Sequence, residues 1–448
     1  MTKKEHVAII GAGLVGSLVG ILFRKRGFEV SIYEKRGDLR TAQVKNGRSI
    51  NLALSDRGIR ALQETGIYEQ LKSELVPMKG RMMHDLKGET TFQAYGTDSQ
   101  FINSVSRLNL NKKLITIGEE AGIHYYFNHR CVDVNTDPTT VYFAREDSEI
   151  RIEPDLLIGA DGAFSEVRKS ILETEKREFD KQFLDYGYKE LSIPASASGD
   201  FQLEPNYLHI WPRKQFMLIA LPNPDKTFTC TLFLPYEGED SFESLADDGE
   251  VETFFGKYFP DVLEKMPSLS KEFNRNPTSS LVTIKSFPWH SNRTLVIGDA
   301  SHAIVPFYGQ GMNSGFEDCR ILMEIAEAHD YDWDRVFEEF ESTRKVDTDA
   351  IAKLALKNFK EMRSKVADKK FLQRKQTEAK LHAQFPEEWL PLYTMVTFSH
   401  LPYSEAQRLG KLQDKAYQNA INEGYEDNLE RILEEFNALK TAAQTIPQ

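Results

Sequence analysis

Gly11-Ala12-Gly13-Leu14-Val15-Gly16 stands directly behind His6 to Ile10, five residues that read as a buried parallel strand, and a helical stretch follows through Arg26. Strand, GxGxxG turn and helix in that order make a βα unit of the dinucleotide-binding kind, which restricts the fold more sharply than any other stretch. The first glycine permits the tight turn, the second lets a pyrophosphate approach the backbone, and the third lets the helix pack on the strand. Glu29 to Tyr33 reads as the next strand and ends at Glu34, about twenty residues past the glycines, where a carboxylate can accept both ribose hydroxyls. This fingerprint predicts a bound dinucleotide and does not separate FAD from NAD.

Two later segments bear on that choice. Asp155 to Gly162 is an apolar strand ending in Gly-Ala-Asp-Gly, with Ser165 and Arg168 entering a helix; taken alone it is an Asp-Gly turn after a core strand. Arg293 to His302 repeats the pattern and ends on Gly298-Asp299, after which Pro306 and Gly309-Gln310-Gly311-Met312-Asn313 open a helix. A Gly-rich helix start presents free backbone amides, suited to an electron-rich ring edge or a phosphate. The strand-end Asp299 can accept from ribityl hydroxyls.

At 448 residues the chain is long for one core, so two joined domains and an appendage are expected. A formal net charge of −12 argues against nucleic acid or anionic membrane as a partner. Cys131, Cys230 and Cys319 match no metal or redox spacing and read as buried thiols in a reducing compartment, with no metal site expected. The first strand begins too early for a signal segment, and no run approaches the roughly 18 apolar residues of a membrane span, so a soluble cytoplasmic protein is expected. Leu429, Ile432, Leu433, Phe436 and Leu439 recur at helical spacing and read as a packing helix. Phe201 to Leu234 alternates apolar and polar residues in strand-like runs, with breaks expected at Pro212, Pro222, Pro224 and Pro235.

In this order and at these separations, the Gly11 turn and the Asp161-Gly162 and Gly298-Asp299 segments resemble the single-component flavin monooxygenases of the p-hydroxybenzoate hydroxylase type, over nearly the whole chain. The resemblance implies an α/β fold: a Rossmann-like FAD-binding domain of the GR2 type (1–75, 103–175 and 286–345), an antiparallel β-sheet substrate domain (76–102 and 176–285) and a C-terminal helical region (346–448). It implies a bound FAD held by Gly11, Gly13, Gly16, Glu34, Lys35, Arg107, Asp161, Asp299, Gly311, Met312 and Asn313. NADPH would be a transient co-substrate without a Rossmann fold of its own, and the Asp161 segment would serve it as well as FAD.

Lys79 to Met82, Pro306 to Asn313 with Glu317 to Cys319, Asn358 to Arg363, and Pro391 to Val396 resemble the kynurenine-hydroxylating branch of that family. By that resemblance Arg81 and Tyr95 bind the amino-acid carboxylate with help from Asn358, while Met362, Tyr393, Gln310, Pro306 and Phe307 line the substrate pocket. A planar guanidinium can pair a carboxylate through two hydrogen bonds, and a tyrosine hydroxyl adds a third. The implied reaction converts L-kynurenine, NADPH and O2 to 3-hydroxykynurenine through a flavin hydroperoxide, with no catalytic side chain and no metal. The implied form is the soluble bacterial one without the membrane anchor of eukaryotic members; an oligomer is left open. On spacing alone Arg81 reads as a surface salt bridge, Tyr95 as a half-buried strand aromatic and His302 as structural. Two alternatives share the FAD motifs: a hydroxylase of another aromatic acid, and a non-catalytic FAD-binding redox sensor.

Overall fold

The computed structural model describes residues 5–41, 50–97, 99–145, 148–177, 179–364 and 369–444. The first expected strand, His6–Ile10, lies inside a six-stranded sheet. The sheet runs His290–Ser291, Thr294–Val296, Leu156–Gly159, His6–Ile10, Glu29–Glu34, His124–Phe127. All its neighbours pair in parallel except the first two. Parallel strands buried on both faces need continuous apolar runs, and Val7, Ala8 and Ile9 are fully buried. The helix Leu14–Lys25 returns over this sheet and buries Leu18, Val19, Leu22 and Phe23, each contributing about 1.5–3 kcal/mol by leaving water.

A second, seven-stranded sheet runs Ser279–Lys285, Asp180–Ile193, Phe228–Pro235, Phe216–Pro222, Tyr207–Arg213, Gly80–His84, Thr90–Ala94. It departs from the expected antiparallel order at one place, because Tyr207–Arg213 and Gly80–His84 pair in parallel. The hairpin Gly80 to Ala94 comes from far upstream and joins at the edge, so no turn forces it to run antiparallel. Pro212 does not break its strand either. It lies past the last residue paired with that hairpin (Ile210 with Met83), where the ladder asks no hydrogen bond of its nitrogen.

Period-two alternation gives this sheet two unlike faces. Cys230, Leu232 and Leu234 pack under the helices Asp248–Tyr258 and Leu269–Arg275, while Thr231 and Phe233 face the other way into a cavity. The helix Asp248–Tyr258 begins with a capping box between Asp247 and Glu250.

The long helix Trp333–Ser364 joins the two sheets. Its first turns bury Trp333, Val336, Phe337 and Phe340 in the core of the six-stranded sheet, and its last turns bury Leu354, Ala355, Phe359 and Met362 against the seven-stranded one. The helices Lys369–Gln384, Leu392–Thr397, Tyr403–Glu423 and Leu429–Gln444 follow. The last of them buries Ile432, Leu433 and Phe436 with Trp389 and Tyr417, the packing role its spacing implies. All three cysteines are buried and none forms a disulfide among the described residues. Among the described residues no helix is long and apolar enough to cross a membrane, and no acid, histidine or cysteine cluster could hold a metal ion.

Candidate functional site

The carboxyl ends of the strands His6–Ile10, Leu156–Gly159 and Thr294–Val296 lie at one edge of the parallel sheet, the usual ligand edge of such folds. Gly13, Gly162 and Asp299, each just beyond one of those strands, line a cavity of about 370 Å³. Its other walls come from the inner face of the seven-stranded sheet (Leu208, Met217, Ile219, Phe233) and from the C-terminal helices (Met362, Tyr393).

The turn after the first strand fits a pyrophosphate. Gly11 has φ +104°, and a Cβ there would sit 2.5 Å from the carbonyl oxygen of Ala160. A Cβ on Gly16 would lie 2.0 Å from the carbonyl oxygen of Gly11, so helix and turn are in direct contact. Gly13 differs: nothing lies within 4 Å of the Cβ position, and the open space is the cavity. The chain is therefore crowded where helix packs on strand and clear where a phosphate must approach.

Glu34 is buried at the end of its strand, with Oε2 accepting from the Ala12 amide (3.1 Å) and Oε1 from the Arg36 amide and Nε (2.9 and 2.8 Å). Burial alone would raise its carboxyl, but the Arg36 guanidinium and the two amides hold it below the ordinary value. It stays ionised, and Oε2 also accepts from Arg36 Nη2 at 3.4 Å, the longest of its four contacts. Lys35 beside it is exposed.

Asp161 caps the helix Glu166–Thr174 through Oδ2, which accepts from Glu166 at 2.8 Å, while Oδ1 is buried with no partner. Burial pushes this carboxyl up, against the pull of Ser165 and the helix amides. Asp299 is exposed on the cavity wall and makes no hydrogen bond among the described residues. Arg107, Gly311 and Met312 line the same cavity. A free carboxylate, an unpartnered acidic oxygen and open helix-start amides suit the hydroxyls, phosphates and ring edge of FAD.

Asn313 is placed differently from those three. Its amide is fully engaged with the Ser55 amide (3.0 Å) and the carbonyls of Ala53 (2.8 Å) and Gly309 (2.7 Å), so it ties the Gly-rich helix start to the strand Asn51–Leu54.

On the substrate side, Arg81 projects from the Gly80–His84 strand into the cavity with no carboxylate ion pair among the described residues; its Nε is buried without a hydrogen-bond partner among them. Its guanidinium carbon stands 5.0 Å from the Tyr393 ring centroid and 5.6 Å from that of Tyr95. Those two rings stack at 5.2 Å, Tyr393 stacks on Tyr308 at 5.6 Å, and the Tyr95 hydroxyl is also buried without a partner. Burial raises all three phenols above their ordinary value, so they remain neutral donors around the Arg81 cation.

Met362, Pro306 and Phe307 line the cavity as well. Asn358 and Gln310 stand behind its wall: Asn358 donates to the Phe307 carbonyl and lies 3.4 Å from the Met362 sulfur, and Gln310 accepts from the Tyr403 hydroxyl at 2.9 Å. His302 is buried against Asp318, away from the cavity wall.

The FAD binding domain family matches residues 4–329 of the chain. A kynurenine 3-monooxygenase of Flavobacterium psychrophilum is 46% identical over 434 residues, covering 96% of this chain and 97% of the relative. One of Cytophaga hutchinsonii is 49% identical over 423 residues, covering 92% and 93%. The chain belongs to the kynurenine 3-monooxygenase family. Among solved structures, p-nitrophenol 4-monooxygenase of Pseudomonas putida superposes with a TM-score of 0.69 at 15% identity, covering 90% of this chain and 99% of that one, a likeness of fold.

As in any FAD-dependent family, the protein's task is to bind and orient, and part of that work falls to residues the motifs did not single out. Tyr308 lies inside the Pro306–Asn313 motif, between Phe307 and Gly309, but the stacking of its ring on Tyr393 has no local sign in the sequence. Leu208, Met217, Ile219 and Phe233 could have been found from period-two alternation once one face was assigned to the cavity. Nothing in the sequence pointed to Arg57, whose partners lie more than two hundred residues away.

Proposed function

We propose that this protein hydroxylates L-kynurenine at ring carbon 3, consuming NADPH and O2. The observation that carries this reading is Arg81: a guanidinium with no ion-pair partner among the described residues, facing a largely apolar cavity and ringed by neutral phenols, a site for one carboxylate attached to an aromatic body. FAD, when bound, would supply the redox chemistry: reduction by the nicotinamide hydride and transfer of one atom of O2 to an electron-rich aromatic carbon, the other leaving as water.

Arg81 and the hydroxyls of Tyr95 and Tyr393 hold the amino-acid carboxylate by charge-assisted hydrogen bonds and fix the far end of the substrate. Met217, Ile219, Phe233, Phe307 and Met362 wall the ring and exclude water.

Toward FAD, Glu34 with Lys35 beside it would serve the adenosine ribose, Gly11, Gly13 and Gly16 the pyrophosphate, Asp299 the ribityl chain, and Gly311 and Met312 the ring edge. Arg107 would take a further cofactor contact and Asp161 the cofactor and the entering NADPH. Asn313, Asn358 and Gln310 would act by holding wall segments in place. Three buried cysteines that form no disulfide support a reducing, cytoplasmic setting.

The test is mass spectrometry of L-kynurenine incubated with the protein, NADPH and isotopically labelled O2. A product heavier by one labelled oxygen is expected. No such product, with NADPH oxidation indifferent to kynurenine, would overturn the reading.

A further inference from the structure

The cavity helix Leu392–Thr397 is only six residues long and carries Tyr393. So short a helix has little intrinsic stability, and its last carbonyls have no partner within it. The Met395 carbonyl accepts from the nearby Ser399 hydroxyl at 2.6 Å, and the helix end is also met by a side chain from the other end of the sequence. Arg57, on the helix Asp56–Glu64, is 1% exposed; its Nε donates to the Val396 carbonyl at 3.0 Å and its Nη2 to the carbonyls of Met395 (3.5 Å) and Leu401. Its Nη1 is anchored to Glu317 at 2.7 Å, and its guanidinium carbon lies 4.0 Å from the Tyr403 ring centroid.

Glu317 is itself held by Arg344 at 2.9 Å, and Arg344 by Asp318 at 2.8 Å. Asp318 accepts the Gly298 amide at 3.2 Å, one residue before Asp299. An unbroken buried chain of charges thus runs from the cofactor edge of the parallel sheet to the end of the Tyr393 helix.

We propose that Arg57 is a positioning residue for substrate. It clamps the Leu392–Thr397 helix to the Asp56–Glu64 and Gly311–Ala328 helices, so that Tyr393 is held against Arg81 and Tyr95 at the carboxylate end of the cavity. A lysine cannot reproduce the clamp, because three acceptors and one carboxylate are met by a planar fork that an ammonium lacks. The inference rests on the kynurenine reading for its kinetic arm only.

The test is Arg57→Lys in the full-length, FAD-loaded enzyme. The Michaelis constant for L-kynurenine should rise about tenfold while kcat changes far less, and more of the NADPH consumed should end as hydrogen peroxide. In a Tyr393→Phe background the same substitution should add little, because both changes act through one contact. Hydrogen exchange, which needs no substrate, should quicken at the amides of 393–398 and stay unchanged at 411–420. An unaltered Michaelis constant with unaltered exchange, or full additivity with Tyr393→Phe, would overturn the proposal. If Arg57→Lys does not fold, the charge-neutral pair Arg57→Gln with Glu317→Gln is read by the same measurements. Should the wild-type protein fail to hydroxylate kynurenine, the substrate reading falls by itself and the exchange data still decide on Arg57.

Discussion

The guanidinium of Arg81 stands 5.0 Å from the ring centroid of Tyr393, and among the described residues no carboxylate pairs with it. A half-buried cation that faces an apolar cavity without a counter-ion is costly unless a ligand supplies one. Arg81→Ala should therefore raise the Michaelis constant for kynurenine roughly tenfold to a hundredfold, the worth of a charge-assisted contact of about 1.5–3 kcal/mol. Bound FAD, read from its visible absorbance, should be unaffected. Arg81→Lys should recover little, since the ammonium lacks the two-pronged geometry. Unchanged kynurenine kinetics in Arg81→Ala would sink the assignment.

Tyr95 gives opposite signs for stability and binding. Its hydroxyl is buried with no partner, a cost of about 1–3 kcal/mol that substrate would relieve. Tyr95→Phe should leave the substrate-free protein as stable as wild type or more so, yet weaken kynurenine by about fivefold to tenfold. Thermal unfolding with and without kynurenine measures both. A variant destabilised without substrate would show that the hydroxyl already has a partner.

The glycines separate folding from cofactor binding. Gly16→Ala places a methyl 2.0 Å from the Gly11 carbonyl oxygen and should disrupt the turn itself. Gly13→Ala meets no protein atom within 4 Å, so its methyl fits the apoprotein and obstructs only what occupies the cavity. Gly13→Ala should unfold within about 1 kcal/mol of the wild-type apoprotein while losing at least about tenfold in FAD affinity, measured by flavin fluorescence titration. Equal FAD affinity would remove the pyrophosphate from this turn.

The sequence disclosed whatever is encoded within a few residues of itself. Gly11 to Gly16 with Glu34, and the Asp161 and Asp299 strand ends, each carry a local steric or hydrogen-bonding reason for their residue types, and each stands where the spacing put it. Arg81 needed the resemblance, because a lone arginine on a short strand carries no local sign of whether it meets solvent or a cavity. Asn313 shows the limit from the other side. Its place in a Gly-rich helix start suggested a ring contact, whereas its amide is spent on Ser55, Ala53 and Gly309, partners brought near only by the fold. Arg57 and the parallel pairing of Gly80–His84 are likewise long-range facts with no nearby trace.

The strand bearing Arg81 ends at His84, and this end is fastened by a row of hydrogen bonds whose proton count fixes its pH response. His84 Nδ1 faces Asp261 at 3.0 Å, His84 Nε2 faces His209 Nδ1 at 2.8 Å, and His209 Nε2 faces the Glu204 carbonyl at 2.8 Å. A carbonyl only accepts, so His209 carries its proton on Nε2 and its Nδ1 accepts from His84. A second proton on His209 would set N–H against N–H. Burial, with the neighbouring His84, accordingly pushes the His209 imidazole down to about 4, despite the Glu204 carbonyl and Asp261. Since the folded value lies below the unfolded one of about 6.5, the stability is fully present above about pH 6.5 and lost as the pH falls toward 4. The loss should reach about 3 kcal/mol, from the separation of the two values. His209→Gln, which can donate to Glu204 and accept from His84 without titrating, should flatten the unfolding free energy over that interval. Parallel curves for the two proteins, from denaturant unfolding in saturating FAD, would show that the proton is taken up elsewhere.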